Sequence, residues 1–80
     1  MSVTVRLFAA IAEAVGRAEL TVDAATVGDV VDALVATGGP DTTRVLERCS
    51  VLVGGVRADS VDTLVPAGAT VDVLPPFAGG

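Results

Sequence analysis

The chain has 80 residues, no His and a single Cys, so it can hold one small domain but neither an internal disulfide nor the usual zinc sets of several Cys and His. Hydrophobic residues make up 51% and charged residues 19%, the opposite of a disordered composition. Five arginines and ten acidic residues leave a net charge of −5. The arginines are scattered at 6, 17, 44, 48 and 57, and Phe8 and Phe77 are the only aromatic residues. Neither a basic stripe for a duplex nor a stacking platform for a single strand can be built, so nucleic acid is not an expected partner.

The first segment, Val3 to Phe8, alternates with period two: Val3, Val5 and Leu7 share one face, and Thr4, Arg6 and Phe8 share the other, which predicts a strand. Ala9 to Val15 switches to helix formers and stops at Gly16, predicting a short helix. Alternation returns over Ala18 to Asp23, with Ala18, Leu20 and Val22 on the apolar side of a second strand. Val27, Val30, Val31, Leu34 and Val35 then trace one helical stripe, and the helix is expected from Val27 to Thr37. Thr26 is placed to cap its first turn, with Asp29 three residues on in the manner of a capping box, and Gly38-Gly39-Pro40 ends it.

A further helical turn is expected within Asp41 to Arg48, followed by a buried strand at Ser50 to Val53. Gly54-Gly55 is a two-residue hairpin turn, since such turns need positive φ angles, and Val56 to Ala58 returns along the strand. Asp59 to Val65 reads as irregular, Pro66-Ala67-Gly68 as a turn, and Thr70 to Leu74 as the last strand. The amino terminus shows no secretory leader and no apolar run is long enough to span a bilayer, so a cytoplasmic protein with no membrane partner is expected. The order of elements predicts an α+β domain, a mixed sheet crossed by one main helix, over residues 1–74, with a flexible tail over 75–80.

Catalytic chemistry has little to work with: there is no His, Lys or Tyr, and the carboxylates fall where a solvated face would put them. Cys49 has no His to pair with and borders an apolar strand, so it reads as a buried structural thiol. The tail Pro75-Pro76-Phe77-Ala78-Gly79-Gly80 is the informative segment. Glycines without Cβ let a thin chain enter a narrow channel, two prolines stiffen its exit, and the extended reach from Pro75 to Gly80 is about 20 Å. The plain alternative is a frayed end or an expression scar. A carboxylate at Gly80 is inert until ATP converts it to an acyl-adenylate, and the chain has no nucleotide loop, so a separate enzyme must activate it.

Parity also places Phe8 and Leu74 outward on the first and last strands, where they form an apolar docking patch beside the tail if those strands are neighbours, or close the core if the parity slips.

Two segments, Leu7-Phe8-Ala9-Ala10-Ile11-Ala12-Glu13-Ala14-Val15-Gly16 and Leu74-Pro75-Pro76-Phe77-Ala78-Gly79-Gly80, resemble the opening and ending of the small MoaD-like subunit of molybdopterin synthase, within the ubiquitin-like sulfur carriers. That resemblance implies a ubiquitin-like β-grasp fold with first and last strands as central neighbours, and a carrier that is not catalytic alone. It further implies that an adenylating enzyme of the ubiquitin-activating type spends ATP on Gly80 and that a persulfide donor converts it to a thiocarboxylate. The large catalytic subunit would then use the sulfur for the molybdenum cofactor. By the same resemblance Gly79 threads the tail, while Phe8, Leu74, Pro75, Pro76 and Phe77 contact partners; no metal or bound cofactor is implied. Ala12 before Glu13 and Ala58 depart from the family pattern and bear on partner fit. A carrier for cysteine, thiamine or a secondary metabolite shares this chemistry; a protein modifier would pass its carboxyl to a lysine instead, and a plain binding domain would not need the glycines.

Overall fold

The computed structural model describes residues 2–75. Eight elements follow in chain order: β1 (Ser2–Leu7), α1 (Ala10–Val15), β2 (Glu19–Asp23), α2 (Val27–Gly38), α3 (Pro40–Leu46), β3 (Ser50–Val53), β4 (Val56–Ala58) and β5 (Thr70–Leu74). The strands form one sheet in the order β2-β1-β5-β3-β4. β1 and β5 pair in parallel, with Val5 opposite Val71 and Leu7 opposite Val73, and every other pairing is antiparallel. The last strand is therefore the central one, and the sheet is mixed, as the order of elements predicted.

The period-two pattern explains which face is covered. Val3, Val5 and Leu7 of β1, Leu20 of β2, and Val71 and Val73 of β5 are buried, and they share one core with Ile11, Val15, Val27, Val30 and Leu34 from α1 and α2. Each such side chain contributes about 1.5–3 kcal/mol relative to exposure, which is what holds a helix as rich in β-branched residues as α2. Ala18 departs from the expected pattern: β2 starts one residue later, and Ala18 is exposed while its carbonyl accepts a hydrogen bond from Leu7 N at 2.8 Å.

Local chemistry accounts for the start of α2. The Asp29 amide donates to Thr26 Oγ1 at 3.2 Å, and the Asp29 carboxylate accepts from the amides of Ala25 at 2.9 Å and Thr26 at 3.2 Å. Those amide hydrogen bonds hold the Asp29 carboxyl below the usual aspartate range. The other first-turn donors are satisfied from far along the chain: Val27 N reaches Thr63 O at 3.0 Å and Gly28 N reaches Val61 O at 2.8 Å. An isolated antiparallel bridge joins Thr26 to Leu64, and Val65 is buried. The segment expected to be irregular thus completes the cap that the helix cannot supply to itself.

The region after α2 is more helical than one turn. α3 has seven residues, begins at Pro40 in the first-turn position that suits proline, and packs against α1 and α2. Thr42 faces that contact with 0% of its surface exposed, and its hydroxyl has no hydrogen-bond partner among the described residues. Gly38 allows the close approach: a Cβ there would collide with Thr42 Oγ1 and come within 3.1 Å of both Ala14 O and Val15 Cα. At the far end of the sheet Gly54 and Gly55, with φ of 56° and 85°, make the expected hairpin turn between β3 and β4.

Candidate functional site

The site begins where the two parallel strands end together. Leu7 is buried opposite Val73, so the next residue, Phe8, is turned to the other face, where 40% of it is exposed. Leu74 closes β5 opposite Ser50 of β3 and is half-buried, less exposed than its outward parity predicted, because β3 flanks it on the side away from β1. One row back on the same outer face, Arg6 grips Asp72 bidentately, Nε to Oδ1 at 2.6 Å and a terminal guanidinium nitrogen to Oδ2 at 3.0 Å. That hydrogen-bonded pair raises the Arg6 pKa above its already high value, and it fixes β5 to β1 immediately before the chain leaves the sheet.

Between Phe8 and α1 the backbone turns at Ala9, whose φ of 56° and ψ of −129° belong to a region that glycine favours. A non-glycine residue held there costs about 1–3 kcal/mol. α1 has no side-chain N-cap, so its run of helix formers, and not capping, accounts for the helix. Its first turn supplies Ala10 and Ile11 to one side of an open groove of about 460 Å³. The other side comes from α3 and the turn after it, through Arg44, Val45, Arg48 and Cys49, and Pro75 lies at the groove's edge where β5 ends.

Electrostatically the groove differs from the acidic body. Arg44 pairs with Asp41 at 3.2 Å, both well exposed, whereas the Arg48 side chain makes no ion pair or hydrogen bond among the described residues. The Cys49 thiol is half-buried and donates to Val45 O at 3.3 Å, and desolvation pushes its pKa up. It is therefore a poor source of thiolate, although it is less buried than an apolar strand border suggested.

Of the residues singled out in the sequence, the fold brings Phe8, Leu74 and Pro75 to one edge of the molecule; Pro76, Phe77, Gly79 and Gly80 lie outside the described residues. The strained turn at Ala9 and the groove were not anticipated. Residues 44, 45, 48 and 49 recur at i, i+1, i+4 and i+5, a helical face that an acidic background and an expected single turn made easy to pass over. Among the described residues no group of His, Cys, Asp and Glu could hold a metal, and no helix is long and apolar enough to cross a membrane.

Solved structures share this architecture. Small archaeal modifier protein 1 from Haloferax volcanii is 33% identical with a TM-score of 0.81, the match covering 100% of both chains. A chain from the complex of subunits 1 and 2 of molybdopterin-converting factor from Helicobacter pylori 26695 is 22% identical with a TM-score of 0.72, again over 100% of both chains. A chain from the BexX/CysO complex of Amycolatopsis orientalis is 22% identical with a TM-score of 0.79, over 98% of this chain and 99% of that one. The last two identities show fold alone. A comparison with curated protein sequences gives no match. The fold is the ubiquitin-like β-grasp shared by small sulfur carriers and protein modifiers. Because the ThiS family model matches residues 5–80, from the first central strand through the final glycine, the chain belongs to the ThiS family.

Proposed function

We propose that the protein is a sulfur carrier for molybdopterin synthesis whose reactive group is the Gly80 carboxylate. The observation that carries this reading is the placement of the exit: the central strand β5, braced by the Arg6–Asp72 pair, ends at Leu74 and passes into Pro75 on the edge that bears Phe8, and the family match continues through Gly80. A rigid body with a Gly-Gly segment leaving it beside apolar side chains suits a partner that covers Phe8 and Leu74 while drawing the tail into its own active site.

The chemistry follows from the carboxylate. An adenylating partner joins Gly80 to AMP and releases pyrophosphate; a persulfide then attacks the acyl carbon and AMP leaves. Cleavage of the resulting sulfur–sulfur bond by a second thiol leaves a thiocarboxylate on Gly80 and a disulfide on the donor. The body supplies docking and the tail supplies reach, with no acid or base required of this chain. The likeness to a chain of the complex of subunits 1 and 2 of molybdopterin-converting factor supports a large subunit as the acceptor-binding partner.

A second reading, conjugation to lysines as a modifier, is favoured by one observation: the identity to small archaeal modifier protein 1 is 33%, above the 22% to the molybdopterin-converting chain. Intact-protein mass spectrometry after incubation with a matching adenylating enzyme, ATP and a persulfide source tests the carrier reading. Exchange of one oxygen for sulfur at Gly80 is expected, followed by loss of that sulfur when large subunit and a pyranopterin precursor are added. An unmodified terminus in a mixture active on another carrier would overturn it, and isopeptide conjugates in cell extracts would establish the second reading.

A further inference from the structure

Five residues follow Pro75, and the groove that Pro75 borders has the chemistry to hold them. Its floor is apolar, from Ala10 and Val45 with the buried Ile11 beneath them, and its rim carries Arg44 and Arg48, two of the five arginines in a chain of net charge −5. Rim acids are present too: Asp41 already engages Arg44, and Glu47 is exposed beside Arg48, whose guanidinium is a rim cation without a partner among the described residues. The tail offers the complement in the right order. Phe77, two residues past Pro75, reaches about 7 Å, and the Gly80 carboxylate, five residues past it, reaches about 17 Å. The Pro75-Pro76 pair keeps the start of that path extended, so the segment would run along the groove.

We propose that this groove is a resting site for the chain's own carboxyl-terminal segment, with the Phe77 ring on Ala10 and Val45 and the Gly80 carboxylate on Arg48 and Arg44. The device keeps the reactive end against the body until a partner covering Phe8 and Leu74 releases it. It rests on the proposed function only in taking Gly80 as a free carboxylate, and nothing in it depends on adenylation or sulfur. A thiocarboxylate, also an anion, would be held in the same way.

Cys49 lines the same groove and reports on its occupancy. Alkylation of Cys49 by iodoacetamide would be timed at one pH for the full chain, for a chain ending at Pro76, for Phe77→Ser and for the double variant Arg44→Gln/Arg48→Gln. Arg44 and Arg48 are exposed, and unchanged amide resonances from the sheet certify the fold of every variant. The expected result is alkylation several-fold faster in all three variants, a full-chain rate independent of protein concentration, and proton contacts between the Phe77 ring and the methyls of Ala10 and Val45 in the unaltered protein. Equal rates, or absence of the ring-to-methyl contacts, would overturn the proposal. Protection that grows with protein concentration would also overturn it, assigning the groove to the tail of a second copy. No ATP, enzyme or sulfur donor enters these measurements, so their failure is distinct from failure of sulfur transfer.

Discussion

The amino end of α2 and the corner where α1 meets α3 are built by different means. At the first, every local rule points the same way: Thr26 and Asp29 form a reciprocal cap, the apolar stripe faces the sheet, and Val27, Val30 and Leu34 are buried. At the second, Ala9 holds a conformation suited to glycine, α1 lacks a side-chain cap, and the buried Thr42 hydroxyl has no partner among the described residues. The strained turn lies between Phe8 and the first residue of α1 that lines the groove at Pro75. Local conflict of this kind persists where surrounding packing over-determines it, and it concentrates at sites that bind or react.

The largest test of this contrast is Leu34→Ala, which empties a fully buried position on the α2 stripe and should cost about 2–5 kcal/mol in denaturant unfolding. A loss no larger than that of an exposed alanine replacement would mean the stripe does not carry the core. Gly38→Ala should cost about 1–3 kcal/mol, since the new Cβ meets Thr42 Oγ1 and two backbone atoms and the helices must separate. Pairing it with Thr42→Ala should recover part of the loss, and simple additivity in that double-mutant cycle would refute the contact.

Thr26→Ala should cost about 0.5–2 kcal/mol by removing the cap. Ala9→Gly is expected to work in the opposite direction and stabilise by roughly 1 kcal/mol, because relief of the positive φ outweighs the added freedom of the unfolded chain. A destabilised Ala9→Gly protein would show that the turn is not strained.

The smallest effect is the pH dependence from Asp29. Its carboxyl is held below its unfolded value by the Ala25 and Thr26 amides, so its contribution is present above the ordinary aspartate range near 3.9. The contribution is lost as pH falls through the lower folded value. Melting midpoints between neutral pH and about pH 2 should therefore fall slightly more for the native chain than for Asp29→Ala. Equal acid sensitivity would separate the observed cap geometry from any electrostatic role.

Much of this architecture is legible in the sequence because the signals are local. The alternation over Val3 to Leu7 and Thr70 to Leu74, the stripe from Val27, the Thr26 cap and the Gly54-Gly55 turn each depend on residues within a few positions of one another. Ala18, inside by alternation, is exposed, and the helical turn expected within Asp41 to Arg48 is a seven-residue helix; both are short segments whose extent is set by neighbours. Phe8 and Leu74 show the boundary well: parity placed both outward, yet β3 beside Leu74 makes it half-buried while Phe8 stays open.

The sequence by itself determined the periodicities, the glycine turn, the helix cap, the lack of a histidine-based catalytic set and the Gly-Gly ending, because each is a matter of residue type at short spacing. Tertiary structure alone decided that Thr63 and Val61 complete the α2 cap, that Arg6 meets Asp72 across 66 positions, and that Ala10, Ile11, Arg44, Val45, Arg48, Cys49 and Pro75 surround one groove. Those contacts join segments distant along the chain, and their closure entropy is repaid only when the sheet and helices pack together; no local pattern records them.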